Sequence, residues 1–547
     1  LFNRPYFFLE YLFFIIIYKY IKIIQLKNYS IYYLMCGIYL IVSLNKQIVI
    51  DNVLDNLKQI QHRGQDAVGI MYKNNEFYST ITKNGSIQTI NDKIESNIYM
   101  THLRYKTSGN SKSKGMQPIT AKSNLGEFSF VFNGNIPLKK YSYIFKKEFI
   151  LDTNLIKYFL IKETKIHNNW EDVLRSFMDT FERAYNLILI TNNDIYVLKD
   201  RYGVRPLSYS LSKDRTTLEI CSETVGLSHI NRICSETVGL SHINEEHQNK
   251  GINTQIGKHE IYNENKEGTI TKYSINFSKK TITKYDVYNL FDNKAKGYDI
   301  SIGGRCIFEH IYFASPNSVW NNIKTNELRK KWSITLAKDD LDDGYFKEEI
   351  DTSNNVGVSY RSDILVIGIP STGIIPGQEY ARYCKFNYSQ AITKNKDVKR
   401  TFILPENIRD TVSKKKYIYD KEKINGKKII ILDDSIVRGV TIKNIITSLW
   451  LAGAREIHIR ITSPPVKDIC MYGIDIPTTD ELIANTMSID DINTHLGSNS
   501  LKFLNIDDML QWVDEPSKYC TGCFNSNYNE LKSESEYELY NYNMLKW

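Results

Sequence analysis

Two carboxylates close an apolar run: Ile429, Ile430, Ile431 and Leu432 are followed by Asp433 and Asp434, then by Ser435, Arg438, Gly439 and Thr441. The run reads as a buried parallel strand. Ile442, Ile445, Ile446 and Leu449 then recur at helical spacing. A strand, a polar loop and a helix N-terminus make a phosphate cradle, because free backbone N–H groups and the positive helix end face the anion. Paired carboxylates beside it would hold a sugar diol or a metal ion. A Rossmann-like turn with solvated acids would share the strand and the helix, but not the coincidence with a hydroxyl-bearing loop. A second chemistry is offered by Cys36, directly behind Met35. Once the Met is removed, such a Cys carries its own base, since the free α-amine can take the thiol proton. A buried structural Cys is the plain alternative. Cys520 and Cys523 form the one close C-x-x-C pair among eight cysteines, which points to a metal or redox role in a reducing compartment.

The elements that must position these residues are partly legible. The spacing of Trp170, Val173, Leu174, Phe177, Met178, Phe181 and Tyr185 predicts an amphipathic core helix. Residues 187–198 read as a hairpin turning at Asn192-Asn193-Asp194. Residues 363–370 and 456–463 read as further buried strands. Residues 338–361, acidic and Asn-rich without periodicity, read as an inserted surface loop. A short strand pattern lies at 259–262. The twelve residues ICSETVGLSHIN occur twice, at 220–231 and 233–244. A period of 13 present only twice is no solenoid; one copy should pack and the other should loop out, which makes Cys221 and Cys234 poor metal ligands.

At 547 residues the chain should hold two or more domains. Its net charge is +8, of which residues 1–35 supply +3, and no dense Arg/Lys stripe appears. Nucleic acid is therefore not implied, whereas anionic, phosphate-bearing substrates would suit. The apolar run at 11–18 is too short to span a bilayer, and Glu10, Lys19 and Lys22 interrupt its surroundings. Residues 1–35 read as mistranslated upstream sequence, as a propeptide, or as a targeting or anchor segment; only the last would bring in a membrane.

Behind Met-Cys-Gly stand Gln61-His62-Arg63-Gly64, then Thr101-His102-Leu103-Arg104-Tyr105-Lys106-Thr107, then Phe132-Asn133-Gly134-Asn135. In this order they resemble the class II glutamine amidotransferases. The resemblance implies Cys36 as nucleophile and Asn133 with the Gly134 N–H as oxyanion hole. It implies Arg104 on the glutamine α-carboxylate, Asp152 on the α-amino group, and Arg63 and Thr107 lining the pocket. The stretch 200–207 also matches, as does the 306–316 stretch that leads into the second half.

The Asp433–Thr441 cradle resembles that of type I phosphoribosyltransferases, and the whole of 36 to about 525 is similar to the glutamine phosphoribosylpyrophosphate amidotransferase family. The implied fold is an α/β and α+β pair: an N-terminal-nucleophile αββα sandwich (36–290), then a phosphoribosyltransferase domain (291–510), with a C-terminal tail (511–547). The implied ligands of phosphoribosyl pyrophosphate are Asp433, Asp434, Ser435, Arg438, Gly439, Thr441, Lys394 and Arg400, the last two on a loop that closes over it. Mg²⁺ would be held by Asp433, Asp434 and Thr372. Cys306, Cys470, Cys520 and Cys523 fall where an iron–sulfur-containing subgroup places its thiolates, and four thiolates suit a [4Fe–4S] cluster or zinc. Ser371, Asp397 and Val440 depart from the family's usual acid, Tyr and Thr.

The resemblance further implies a cytoplasmic homotetramer, feedback by purine nucleotides, and the entry step of purine synthesis: glutamine, phosphoribosyl pyrophosphate and water giving phosphoribosylamine, glutamate and pyrophosphate. Two alternatives stay open. One is a non-catalytic phosphoribosyl-pyrophosphate-binding regulator. The other is an ammonia-dependent transferase, if Cys36 is not N-terminal. Glucosamine-phosphate, asparagine and glutamate synthases share the glutaminase module, but the cradle argues against them.

Overall fold

The computed structural model describes residues 36–74, 77–105, 115–181, 183–228, 263–264, 268–289, 304–344, 346, 361–395, 416–473 and 479–528. The strand pattern at 259–262, the second copy of the repeat, Thr107, Arg400 and residues 1–35 lie outside these.

Gly37–Ser43 is buried along its whole length. Alternation explains how. Tyr39 and Ile41 face the helix Ile50–Ile60, packing on Leu57 and Ile60. Ile38, Leu40 and Val42 face the other way, onto Val131, Ile188 and Ile190 of a second sheet. The first sheet has seven strands, in the order Asn263–Glu264, Ser208–Leu211, Thr217–Cys221, Gly37–Ser43, Ile98–Arg104, Ala67–Asn74, Phe77–Asn84. The second has six: Thr281–Asn289, Thr269–Asn276, Asp194–Lys199, Tyr185–Ile190, Gly126–Gly134, Ile119–Ser123. Its outer face presents Phe128, Phe130, Phe132, Leu187 and Leu189 to the helices Asp152–Glu163 and Trp170–Thr180. Helix, sheet, sheet, helix is the layering expected.

The helix from Trp170 is shorter than its apolar spacing predicts. It ends at Thr180; Phe181 is extended, and Tyr185 opens the next strand. The periodicity misleads because Phe181 and Tyr185 join the same core by another route, their rings 4.7 and 5.3 Å from that of Phe177. The hairpin stands, with strands Tyr185–Ile190 and Asp194–Lys199.

Of the duplicated segment, the first copy packs: Ile220 and Cys221 end the strand Thr217–Cys221, and residues 222–227 are buried. What precedes each copy distinguishes them. Leu218 and Glu219 are buried, and Glu219 receives hydrogen bonds from the Ser228 N–H and the Tyr39 hydroxyl. The second copy carries Asn231 and Arg232 at those places, which would bury an amide against apolar neighbours and put a cation where an acid is required.

The second half is built on a five-stranded parallel sheet in the order Phe386–Tyr388, Arg361–Gly368, Lys428–Asp433, Glu456–Ile461, Ser500–Phe503. Ile430 and Leu432 pack toward Leu336 and Tyr380, Ile429 and Ile431 toward Ile442 and Ile446. A strand covered on both faces needs the continuous apolar run seen in the sequence. Helices Ile374–Cys384 and Val440–Leu451 follow two of these strands, so the connecting loops gather at the sheet's C-terminal edge, where such folds bind ligands.

The expected loop at 338–361 begins later than its composition suggests. The helix Thr325–Asp342 runs through its first residues. Asp340 is fully buried, bonded by the Tyr380 hydroxyl at 2.5 Å and paired with Arg460. An acid in a polar stretch reads as surface until its distant cation is known.

Candidate active sites

Cys36 sits at the head of the strand Gly37–Ser43, between two elements that bring it partners. Asn133, at the end of Gly126–Gly134, donates from Nδ2 to the Cys36 carbonyl oxygen at 2.8 Å. Asn133 is itself oriented by Arg205, whose guanidinium donates to Oδ1 at 2.5 Å. Arg205 is buried, and it also donates to the Gly473 carbonyl at 3.2 Å, reaching into the second half. Burial raises the Cys36 thiol, while the Tyr105 N–H and the Arg205 and Arg104 charges pull it down. Arg104 ends the strand Ile98–Arg104 and Asp152 opens the helix Asp152–Glu163; both charges reach Cys36. Burial pushes Asp152 up to about 6, against the Thr153 N–H and the Arg104 and Arg205 charges. Gly134 admits no side chain: a Cβ there would lie 2.6 Å from that of Tyr185. Cys36, Arg104, Asn133, Gly134 and Asp152 therefore converge.

Arg63 has a different surrounding. Its Cβ backs onto Gly37, but its guanidinium is bonded by Glu223 at Nε and by Glu309 at Nη2, the latter at 2.6 Å. Arg205 had no role from the sequence, although the 200–207 stretch around it matched the family; an Arg's partner across 72 positions leaves no local signal.

At the C-terminal edge of the parallel sheet, the two strand-to-helix loops meet. The Thr372 hydroxyl donates to Asp434 Oδ2, and the Ser435 hydroxyl to Oδ1 at 2.7 Å. Lys394 donates to the Ser371 hydroxyl at 2.7 Å. Burial and the charge of Asp434 raise Asp433 well above the carboxylate range, and burial raises Asp434. A buried acid beside a half-buried one is a site that gains from a cation. Lys394 and Lys416 are lowered by burial, and both feel Asp433. Gly439 takes φ +78°, and a Cβ there would meet Ile483 at 2.8 Å. Val440 and Thr441 open the following helix and are exposed. Arg438 is paired with Glu481 at 2.6 Å, so an anion would have to compete for it.

Tyr312 lies on the turn Glu309–Phe313, within electrostatic reach of groups from both halves. Its hydroxyl is raised by burial and by the charges of Asp434, Tyr105 and Asp433, so it feels both sites at once. Yet 42% of its surface stays accessible.

Four thiols gather elsewhere. Cys306 pairs in parallel register with Cys520 and feels the charges of Cys470 and Cys520, and Cys523 feels those of Cys306, Cys470 and Cys520. Three are buried and Cys520 half-buried; burial raises the Cys520 thiol to about 12. The donor chemistry fits a group that takes four thiolates. The spacing is open, for among the described residues no three His, Cys, Asp or Glu side chains stand as a ready metal-ligand set. Cys384 is buried apart, beside Tyr380 and Asp340. No helix among the described residues is long and apolar enough to cross a membrane.

No family model matches the chain. Curated relatives do. The amidophosphoribosyltransferase of Methanocaldococcus jannaschii is 26% identical over 516 residues, covering 90% of this chain and 97% of that one. Amidophosphoribosyltransferase 1, chloroplastic, of Arabidopsis thaliana is 28% identical over 488 residues, covering 86% and 75%. Among solved structures, glutamine phosphoribosylpyrophosphate amidotransferase from B. subtilis, complexed with ADP and GMP, superposes with a TM-score of 0.69 at 25% identity, covering 90% of this chain and 97% of that one. The likeness runs through both halves, glutaminase-like sandwich and parallel sheet alike, and the chain is similar to the amidophosphoribosyltransferases over most of its length.

Proposed function

We propose that the protein is an amidophosphoribosyltransferase, converting glutamine, phosphoribosyl pyrophosphate and water to 5-phosphoribosylamine, glutamate and pyrophosphate, the first committed step of purine synthesis. The observation that carries this reading is that one chain holds both constellations and that Arg205 ties them together, donating to Asn133 beside Cys36 and to the Gly473 carbonyl of the second half.

In the first half-reaction the Cys36 sulfur attacks the side-chain amide carbon of glutamine. Removal of the residues before Cys36 supplies the free amine that accepts the thiol proton. The Asn133 Nδ2 and the Gly134 N–H receive the charge that develops on the amide oxygen, with Arg205 fixing which end of the Asn133 amide points inward. Arg104 and Asp152 hold the α-carboxylate and α-amino group. Ammonia leaves, and water cleaves the thioester to glutamate. In the second half-reaction ammonia passes Tyr312 and displaces pyrophosphate from C1 of the sugar. Asp433 and Asp434 hold the ribose hydroxyls, the 435–441 loop the 5-phosphate, and Thr372, Lys394 and Lys416 the pyrophosphate side. Mg²⁺, held with Asp433, Asp434 and Thr372, would neutralise the leaving group.

The four thiols support assignment to the iron–sulfur-containing subgroup. Cys306, Cys470, Cys520 and Cys523 would hold a [4Fe–4S] cluster of structural role. The B. subtilis relative was solved with ADP and GMP, which supports purine nucleotides as feedback inhibitors here. We place the enzyme in the cytoplasm as a homotetramer.

The test is product balance. With glutamine, phosphoribosyl pyrophosphate and Mg²⁺, the chain beginning at Cys36 should release glutamate and pyrophosphate one for one. Cys36→Ser should lose this but release pyrophosphate with added ammonium. Glutamate without pyrophosphate under any nitrogen source would overturn the reading in favour of a ligand-binding regulator.

A further inference from the structure

Glu223 belongs to the packed copy of the duplicated segment, and no step above uses it. It is buried, 2% exposed, and accepts four donors on two oxygens. From the first half come Arg63 Nε and His62 Nε2, the latter at 2.7 Å. From the second come the Ser315 N–H at 2.8 Å and the Ser318 hydroxyl. Burial alone would raise this carboxylate; Arg63 and His62 hold it well below the usual range, so it is ionised. The next residue continues the seam, with the Thr224 hydroxyl accepting the Val319 N–H at 2.9 Å.

What these contacts enclose is the 309–314 turn that carries Tyr312. Its first residue, Glu309, is fully buried and takes the other side of the Arg63 guanidinium. Its interior and far end are held by Arg329, which donates to the His310 carbonyl at 2.8 Å and the Ala314 carbonyl at 3.0 Å. Arg329 is also buried and feels the charges of both Asp434 and Glu223. On one side of this clasp Arg63 lies beside Gly37, where a Cβ would meet the Arg63 Cβ at 3.4 Å, and on the other Arg329 feels the charge of Asp434. Buried charges without partners are expensive, and a buried ion network has few alternative arrangements. A stable packing contact could be made with apolar groups; a clasp of this kind fixes register between two bodies.

We propose that Glu223 is a positioning residue for ammonia transfer: bridging Arg63 and His62 of the first half to Ser315 and Ser318 of the second, it holds the 309–314 turn, and with it Tyr312, at the seam between the halves. This rests on the two-site reading above. Neither half-reaction needs Glu223 for its own chemistry, so its loss should uncouple them while sparing each.

The experiment uses the full enzyme beginning at Cys36, with Glu223→Gln, which keeps shape but loses the charge that Arg63, His62, Ser315 and Ser318 share. Three rates are read: glutamate release from glutamine, pyrophosphate release with ammonium, and pyrophosphate released per glutamate with glutamine as sole nitrogen source. The expected result is that the first two stay within about twofold of wild type while the ratio falls at least threefold from one. Ser318→Ala, which removes one donor and no charge, should lower the ratio less, in the same direction. An unchanged ratio in both variants overturns the inference. So does a parallel fall of all three rates in Ser318→Ala, the mark of a merely structural role. A wild type that never releases pyrophosphate with ammonium overturns the two-site reading itself, and is told apart because it appears without any mutation.

Discussion

At the scale of the residue, the oxyanion hole depends on a side chain that never meets the substrate in the scheme above. Arg205 satisfies Asn133 Oδ1 and so presents Nδ2 toward Cys36. Arg205→Met should let the amide turn over. Glutamate release is expected to fall about a hundredfold in kcat, the usual cost of one oxyanion donor, with a smaller change in KM and with ammonium-dependent pyrophosphate release retained; steady-state assays of both reactions check it. Asp152 gives a pH dependence. Its pKa stands at about 6 against 3.8 for an unperturbed group, because it is buried. Holding an α-ammonium requires the ionised form, so KM for glutamine should rise about tenfold per unit as pH falls below about 6. The stability sign is opposite. A raised folded pKa favours the neutral acid, so its stabilising contribution is full below pH 3.8 and is lost as pH rises through about 6. Asp152→Asn should therefore melt higher than wild type at pH 7.5 while losing glutamine affinity, which calorimetry and kinetics together can show.

At the scale of the element, the duplicated segment makes a sharp case. The strand Thr217–Cys221 is selected by Leu218 and Glu219, which only the first copy has before it. Removing residues 232–244 restores a single copy, and its melting temperature and both activities should match those of the intact chain. Within the intact chain, Cys221→Ser should cost about 1–3 kcal/mol, since it buries a hydroxyl against Gly226 where the thiol is fully enclosed. Cys234→Ser should cost nothing measurable. Equal losses from the two would mean that the copies exchange places.

The parallel sheet shows what an element's own sequence can and cannot disclose. The Ile429–Leu432 run, the cradle behind it and the helix Val440–Leu451 were legible, because strand burial and helix periodicity are written in consecutive residues. The end of the helix at Thr180 and the continuation of another through Asp342 were not. Phe181 and Tyr185 are apolar for reasons of packing, and Asp340 is polar for the sake of Arg460; each serves a neighbour outside its own element.

At the scale of the whole molecule, the C-terminal tail is drawn back onto the second half. The strand Tyr519–Cys520 pairs with Arg305–Cys306, the Lys467 and Asp468 N–H groups donate to the Cys523 carbonyl, and the Tyr528 hydroxyl bonds the Ile469 carbonyl. If the thiols hold the proposed cluster, protein purified without oxygen should carry about four iron atoms and absorb in the visible, and Cys523→Ser should lose both and melt several degrees lower. Iron content and a thermal melt decide it. A colourless protein with unchanged stability would leave the thiols as reduced core residues.

The sequence by itself determined the chemistry available: a Cys behind a Met, an Asn-Gly, paired acids before a hydroxyl loop, and the apolar runs that place each at a strand end. These signals are local, carried by side chains a few positions apart, and survive without knowledge of the fold. Only the tertiary structure decided how the chemistry is aimed. Arg205 finds Asn133 across 72 positions, Glu223 finds Arg63 across 160, and Glu309 finds the same Arg across 246. A buried charge must be paired by whatever the fold brings beside it, and that pairing, made between elements far apart in the chain, is what joins the two halves.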